Sequence, residues 1–183
     1  TLKDIEEVLR AGGDKVAINS AGVKQPDFLK KAVESFGAST ISAQVDTQTI
    51  KGVDRVTIES GRTITDIKTI DWMLKIQELG VGEIILTSVD LDGTGKGFNF
   101  ELLGELRDLT NTPLVVAGGA GTMSHLIKTN ELPHVSGIGV ASILHSHYQA
   151  EASEIQRIRK YEISNIENVT SHSIKEIKTN LNL

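Results

Sequence analysis

The amino-acid sequence predicts an α/β fold, a (β/α)8 TIM barrel that here lacks about the first three strands. Short β-branched runs alternate with amphipathic helical stretches, which is typical of βαβ units and a parallel sheet. The segment that begins at Gly121 also resembles the segment that begins at Thr1, with one extra residue in the later copy. Two half-barrels of four βα units would explain this repeat, and an open doubly wound sheet is the alternative.

Five strands are predicted from nearly continuous apolar runs, as expected for strands that are buried on both faces. They cover residues 14–19, 39–46, 83–88, 113–118 and 136–141. The predicted helices cover residues 2–11, 27–36, 66–79, 100–109, 123–130 and 173–181. Residues 47–61 alternate in polarity, so we expect them to form a small hairpin inserted after the second strand.

The composition is that of an ordinary globular domain, with 39% hydrophobic residues, 23% charged residues and a net charge of −5. We expect one partial barrel domain over residues 1–183, in which residues 146–170 form an irregular insertion before the last helix. The sequence begins with Thr1, not Met, and its first residues already have a helical pattern, so its natural start is expected upstream.

Several classes of function are disfavoured by the same composition. A negative net charge without a run of Lys or Arg argues against nucleic acid and anionic membranes as main partners. Since no apolar stretch is long enough to span a bilayer and the N-terminus is polar, a cytoplasmic location is expected. The absence of cysteine excludes disulfides, thiolate metal ligands and cysteine nucleophiles.

A phosphate site is predicted where the last two strands end. The fourth strand runs into Gly118 and Gly119, and a glycine turn lets backbone N–H groups approach an anion closely before a helix begins. The last strand ends at Ala141 and Ser142, again before a helix, and such barrels commonly bind phosphate after strands seven and eight. The alternative is that the glycines simply form a tight turn.

The internal repeat predicts a second phosphate site at Asn19 and Ser20, which correspond to Ala141 and Ser142 in the later copy. A substrate with two phosphates would follow. The alternative is that the fold element was repeated without a second ligand.

Asp46 is the candidate catalytic residue, because a carboxylate at a strand end in the barrel mouth can act as general acid or base. The alternative is an Asp that caps the hairpin turn. In the loop of residues 90–94, Asp92 and Gly93 are expected to contact substrate rather than metal, since no Glu closes a calcium-loop pattern. No histidine follows a predicted strand beside a carboxylate, so no metal site is predicted.

Lys15 and Glu83 each open a strand, at the end of the barrel opposite to Asp46. The ordinary explanation is that such charges solvate the strand starts.

Three segments in unbroken order resemble the cyclase subunit of imidazole glycerol phosphate synthase, the HisF family. They are DKVAINSA from Asp14, EIILTSVDLDGT from Glu83 and VVAGGAGTMSHL from Val115, together with the strand-ending Asp46. A phosphoribosyl isomerase of histidine synthesis shares the half-barrel plan, but the TSVDLDGT stretch and the helix that carries Trp72 are more similar to the cyclase.

The resemblance implies a lyase without cofactor or metal. It takes ammonia from a glutaminase subunit and converts a bisphosphorylated ribotide into imidazole glycerol phosphate and aminoimidazole carboxamide ribotide. Asp46 matches the second of the two catalytic aspartates in that family, and the first would lie upstream of Thr1.

The resemblance also implies roles for other residues. Those that match substrate or phosphate positions are Asn19, Ser20, Asp92, Gly93, Gly118, Gly119, Ala141 and Ser142. Those that match the ammonia gate or the face toward the glutaminase are Asp14, Lys15 and Glu83.

Three departures from the family pattern suggest altered substrate recognition. Residues 47–49 replace Ala-Lys-Arg, Leu91 stands where a basic residue is usual, and Ala117 replaces a serine. Two alternatives therefore stay open: a HisF-like paralogue that works with an amidotransferase in surface-polysaccharide sugar amidation, and a noncatalytic barrel that channels ammonia.

Overall fold

The structure, a computed structural model, describes residues 1–155 and 168–183. Within these residues the strands are β1 Val16–Ile18, β2 Ile41–Ile50, β3 Val53–Ile58, β4 Thr63–Lys68, β5 Glu83–Ser88, β6 Leu114–Ala117 and β7 Gly137–Ile138. The helices are α1 Leu2–Arg10, α2 Ser20–Lys24, α3 Pro26–Phe36, α4 Thr69–Glu78, α5 Phe100–Glu105, α6 Met123–Asn130, α7 Ser142–Ile155 and α8 Ile174–Leu181. A short 3-10 turn, Ala38–Thr40, precedes β2.

The five predicted parallel strands are confirmed, and they pair in the order β1-β2-β5-β6-β7. This order follows the chain, as it does around a (β/α)8 barrel, whereas a doubly wound sheet reverses its order at a switch point. In the part of the chain that the structure describes, β1 and β7 are not paired with each other. The doubly wound alternative is therefore disfavoured.

The predicted hairpin is larger than expected. β2 continues past Asp46 to Ile50 and pairs antiparallel with β3, and β4 adds a third antiparallel strand. The prediction that a helix begins at Asp66 is wrong, because residues 66–68 belong to β4 and α4 begins at Thr69. The run TITDIK alternates in polarity with period two, so its backbone can pair along β3.

Strand β2 has two faces of different character. Ile41, Ala43 and Val45 are fully buried in the hydrophobic core, which also includes Leu29 and Ile76 of the flanking helices. Because successive side chains of a strand point to opposite faces, Ser42, Gln44 and Asp46 share the other face. The apolar face fixes the register of β2 and thereby places its polar residues in one column.

The C-terminal part differs from the expectation in one respect. Residues 146–155 continue α7, so the prediction that the insertion begins as irregular structure is wrong there, and residues 156–167 lie outside the described part. The last helix is confirmed as α8, with Ser173 as its N-cap in a capping box with Glu176. That residues 1–183 form one domain stays a prediction.

No helix among the described residues has both the length and the apolar character that a membrane crossing requires.

Candidate active site

The strand ends that were predicted to carry chemistry lie at the same edge of the sheet. In the parallel register, Asp46 on β2 is level with Thr87 on β5, and Thr87 is level with Ala117 on β6. Asn19 directly follows β1, and Gly118 directly follows β6. The carboxyl ends of the parallel strands thus bring these residues together, as expected for a barrel mouth.

The Asp46 carboxylate is held by two neutral amides. Asn19 Nδ2 donates to Asp46 Oδ2 at 2.8 Å, and Gln44 Nε2 donates to Asp46 Oδ1 at 2.9 Å. The residue is only 9% exposed. Since a carboxylate offers about four lone-pair positions, this arrangement fixes its orientation and leaves capacity to exchange a proton with a substrate.

Asp46 does not cap the hairpin turn, which was the alternative explanation of its position. Strand β2 runs four residues beyond it, and the turn lies at Lys51 and Gly52, both with positive φ. The hairpin instead places Thr57 of β3 directly across from Asp46.

Ser20 contacts the turn between β3 and β4. The backbone N–H of Glu59 donates to Ser20 Oγ at 2.9 Å, and Lys24 forms an ion pair with Glu59 at 2.7 Å. Ser20 opens the five-residue helix α2, which the sequence reasoning missed. Asn19 is at the N-cap position of α2 but uses its side chain on Asp46 instead.

The glycine turn after β6 packs tightly against the loop after β5. Gly118 and Gly119 have φ of 84° and 105°, a region that favours glycine. A Cβ on Gly118 would lie 2.6 Å from the Ser88 carbonyl oxygen, and one on Gly119 would overlap the Gly97 carbonyl oxygen. Close packing of two loops thus requires both glycines, and their role in phosphate binding stays a prediction.

Asp92 and Gly93 lie on the exposed part of the loop after β5. The Asp92 N–H donates to the Ser88 carbonyl at 2.9 Å, and space around Gly93 is open. Within residues 1–155 and 168–183, no three His, Cys, Asp or Glu side chains are grouped as metal ligands.

Ala141 and Ser142 lie at the start of α7, where the Ala141 carbonyl accepts the His145 N–H at 2.9 Å. The segment before α8 connects this helix start with the glycine turn. The Thr170 N–H donates to the Gly121 carbonyl at 2.7 Å, and the His172 N–H is 3.5 Å from the Ile143 carbonyl. Sequence reasoning missed this segment because Thr170 and Gly121 are 49 residues apart.

His125 forms a hydrogen bond with the same glycine turn. Its Nδ1 accepts the Gly121 N–H at 3.3 Å. Burial, together with the nearby Lys128 ammonium, lowers the pKa of His125, which favours the neutral imidazole that this hydrogen bond requires.

At the opposite end of the strands, Lys15 Nζ and Glu83 Oε2 form an ion pair at 2.7 Å. Ser42 Oγ donates to the other Glu83 oxygen at 2.9 Å. The hydrogen bond from Lys15, followed by that from Ser42 and the Lys15 charge, lowers the pKa of Glu83 although burial opposes the shift. Asp14 is exposed two residues before β1.

Comparison with known proteins gives the following relatives. Residues 1–149 match the family described as "Histidine biosynthesis protein". The chain is 36% identical over 146 residues to imidazole glycerol phosphate synthase subunit HisF of Clostridium botulinum strains Okra and Langeland, and equally similar to that of strain Kyoto. The matched part covers 79% of this chain and 58% of each relative, so the chain spans less than two thirds of their length.

Proposed function

Since the chain belongs to the histidine biosynthesis protein family, we propose that the protein is the cyclase of imidazole glycerol phosphate synthase. It would use ammonia to convert a bisphosphorylated ribotide into imidazole glycerol phosphate and aminoimidazole carboxamide ribotide, as a carbon–nitrogen lyase. The similarity to HisF subunits of that synthase supports this proposal.

The observation that carries the proposal is the geometry of Asp46. A buried carboxylate at the carboxyl ends of parallel strands, oriented by Asn19 and Gln44, suits general acid–base catalysis. The reaction implied by the resemblance uses two carboxylates, of which Asp46 supplies one. The resemblance implies no metal or cofactor for this reaction, and we assign none to it.

The phosphates would bind on two sides of Asp46. One would lie at Asn19 and Ser20. The other would lie at Gly118 and Gly119, where the N-terminus of α7 at Ala141 and Ser142 adds the positive end of its helix dipole. Asp92 and Gly93, on the exposed loop after β5, would contact the substrate between them.

Ammonia would enter at the opposite end of the strands. Lys15 and Glu83 form the ion pair that would gate it, and the exposed Asp14 beside them would face a glutaminase subunit. We expect the complex to work in the cytoplasm without contact to membrane or nucleic acid.

A second candidate is a HisF-like paralogue that takes part in sugar amidation. It is favoured by Leu91 and Ala117, which replace a basic residue and a serine of the family pattern and lie near the glycine turn. The replacement at Thr47 is weaker evidence for a different substrate than those at Leu91 and Ala117. Its side chain is buried on the face away from Asp46, where its hydroxyl lies 2.6 Å from that of Thr69.

The proposal is tested by incubating the unmutated full-length protein with ammonium salt and the ribotide. We expect imidazole glycerol phosphate to form, detected by mass spectrometry, and none to form when ammonium is omitted. If ammonium and ribotide give no product, the cyclase assignment is wrong, and the second candidate is then tested with a surface-polysaccharide sugar as acceptor.

A further inference from the structure

Gln44 is a polar residue on β2 that lies between two apolar core residues. It lies two residues before Asp46 on β2, so both side chains are on the same face of the strand. The residues on either side of it, Ala43 and Val45, are fully buried in the core. No role in the cyclase reaction follows for Gln44 from the resemblance or from the strand-end argument.

The amide of Gln44 bridges two strands. Its Nε2 lies 2.9 Å from Asp46 Oδ1 and 2.9 Å from Thr87 Oγ1 on β5. A side-chain amide carries two N–H donors, so each acceptor can receive its own hydrogen. The bond to Thr87 therefore anchors the amide that holds Asp46.

The two amides act on opposite oxygens of the carboxylate. Gln44 binds Oδ1 and Asn19 binds Oδ2, which together set the plane of the Asp46 carboxylate. The terminal torsion of an aspartate has a broad, roughly two-fold profile, so without such donors the plane is poorly defined. A neutral donor also fixes this plane without placing a counter-charge beside the group that must exchange protons.

We propose that Gln44 is a positioning residue that orients the Asp46 carboxylate for proton transfer. The inference rests on the proposed cyclase function and assigns Gln44 a role that acts only through Asp46. Because a misplacement of about 1 Å can reduce a rate by about 100-fold, loss of one of the two donors should be visible in turnover.

The test compares Gln44→Met and Gln44→Glu with the unmutated full-length protein in ammonia-dependent cyclisation. Met keeps the length without a donor, and Glu keeps the shape but places a like charge beside Asp46. We expect kcat to fall by about 10- to 100-fold for Met and further for Glu, with KM for the ribotide changed less than about threefold. If one variant does not fold, the other still gives the comparison.

Gln77→Met is the matched control. On α4, the Gln77 amide donates to the Leu109 carbonyl at 3.1 Å and to the Met73 carbonyl at 3.2 Å, and it accepts the Asn111 N–H at 2.7 Å. This substitution therefore also removes glutamine hydrogen bonds, but away from Asp46. It should lower thermal stability and leave kcat unchanged. This outcome separates a general loss of packing from loss of carboxylate orientation.

A double variant tests whether Gln44 acts through Asp46. In the Asp46→Asn background, Gln44→Met should cause no further loss of the residual rate. A further loss equal to that in the unmutated background would overturn the inference, as would an unchanged kcat in both single variants of an active enzyme. An unmutated protein that forms no product would instead refute the cyclase function and this role with it.

Discussion

The two ends of the parallel strands hold a carboxylate in two different ways. At the amino ends, Glu83 of β5 is held by the Lys15 ammonium and the Ser42 hydroxyl of β2, with 22% of its side chain exposed. At the carboxyl end, the more deeply buried Asp46 is held by two neutral amides. The charged partner lowers the pKa of Glu83, whereas the two donors that orient the Asp46 carboxylate carry no charge.

This difference suggests that the amino and carboxyl ends of the parallel strands have different functions. A carboxylate that is paired with a cation at a partly exposed site suits gating and docking, because the pair can open at little cost. An oriented carboxylate without a counter-charge suits proton transfer. We therefore expect substitutions at the two ends to differ in their effects on turnover and stability.

The largest effect is expected for Asp46→Asn in the full-length protein. The amide keeps the size of the side chain but cannot act as acid or base, so turnover with ammonium should fall by about 100- to 10,000-fold. Binding of the ribotide, measured by calorimetry, should largely persist, because Asn19 is the one proposed phosphate-site residue with a described hydrogen bond to Asp46. Glu83→Gln is the control from the other end, and its rate with free ammonium should stay within about threefold of the unmutated rate. Equal losses of turnover in both variants would contradict the proposed difference in function between the two ends.

An intermediate effect is expected at the glycine turn that borders the Asp46 end. Gly119→Ala places a methyl group against the Gly97 carbonyl, which should lower the free energy of unfolding by about 2–4 kcal/mol, from overpacking and left-handed strain together. In amide NMR spectra of the unmutated protein, millimolar phosphate should shift the signals of Gly118, Gly119 and Ser142 if they bind phosphate, and Gly119→Ala should weaken this response.

Gly93→Ala is the matched control for this turn, since Gly93 also has positive φ but nothing within 4 Å of an added Cβ. It should lower the free energy of unfolding in urea by only about 1–2 kcal/mol. Similar losses for the two variants would show that strain alone, and not loop packing, makes Gly119 necessary.

The smallest effect is expected for Lys15→Met at the opposite end. Half of the Lys15 side chain is exposed, so the ion pair should contribute at most about 1 kcal/mol to the free energy of unfolding near neutral pH. Because the pKa of Glu83 is lowered from its ordinary value of 4.5, this contribution is present above that pH and is lost as the pH falls through the lowered value.

Urea titrations of the unmutated protein and Lys15→Met measure this dependence. The difference between them should be constant from about pH 6 to 8 and should shrink below about pH 4.5. A difference that grows on acidification would show that Lys15 is not the group that stabilises the Glu83 carboxylate.

Much of the site could be predicted from strand ends. Asp46, Asn19 and Gly118 follow apolar runs directly, and parallel strands bring their carboxyl ends together, so their proximity follows from local pattern. A weaker signal for Gln44 was also available, because it lies between the apolar Ala43 and Val45 and two residues before Asp46, on the same face of the strand. Its partners were not predictable, since Thr87 is 43 residues away.

The sequence by itself determined the order of the βα units and which residues terminate them. The apolar runs of buried strands, and the glycine or polar residues that end them, are local properties of the sequence. Only the tertiary structure decided that the hairpin has a third strand, that Ser20 binds Glu59 and that Thr170 binds the glycine turn. These contacts join distant segments, and their choice depends on how the whole chain packs.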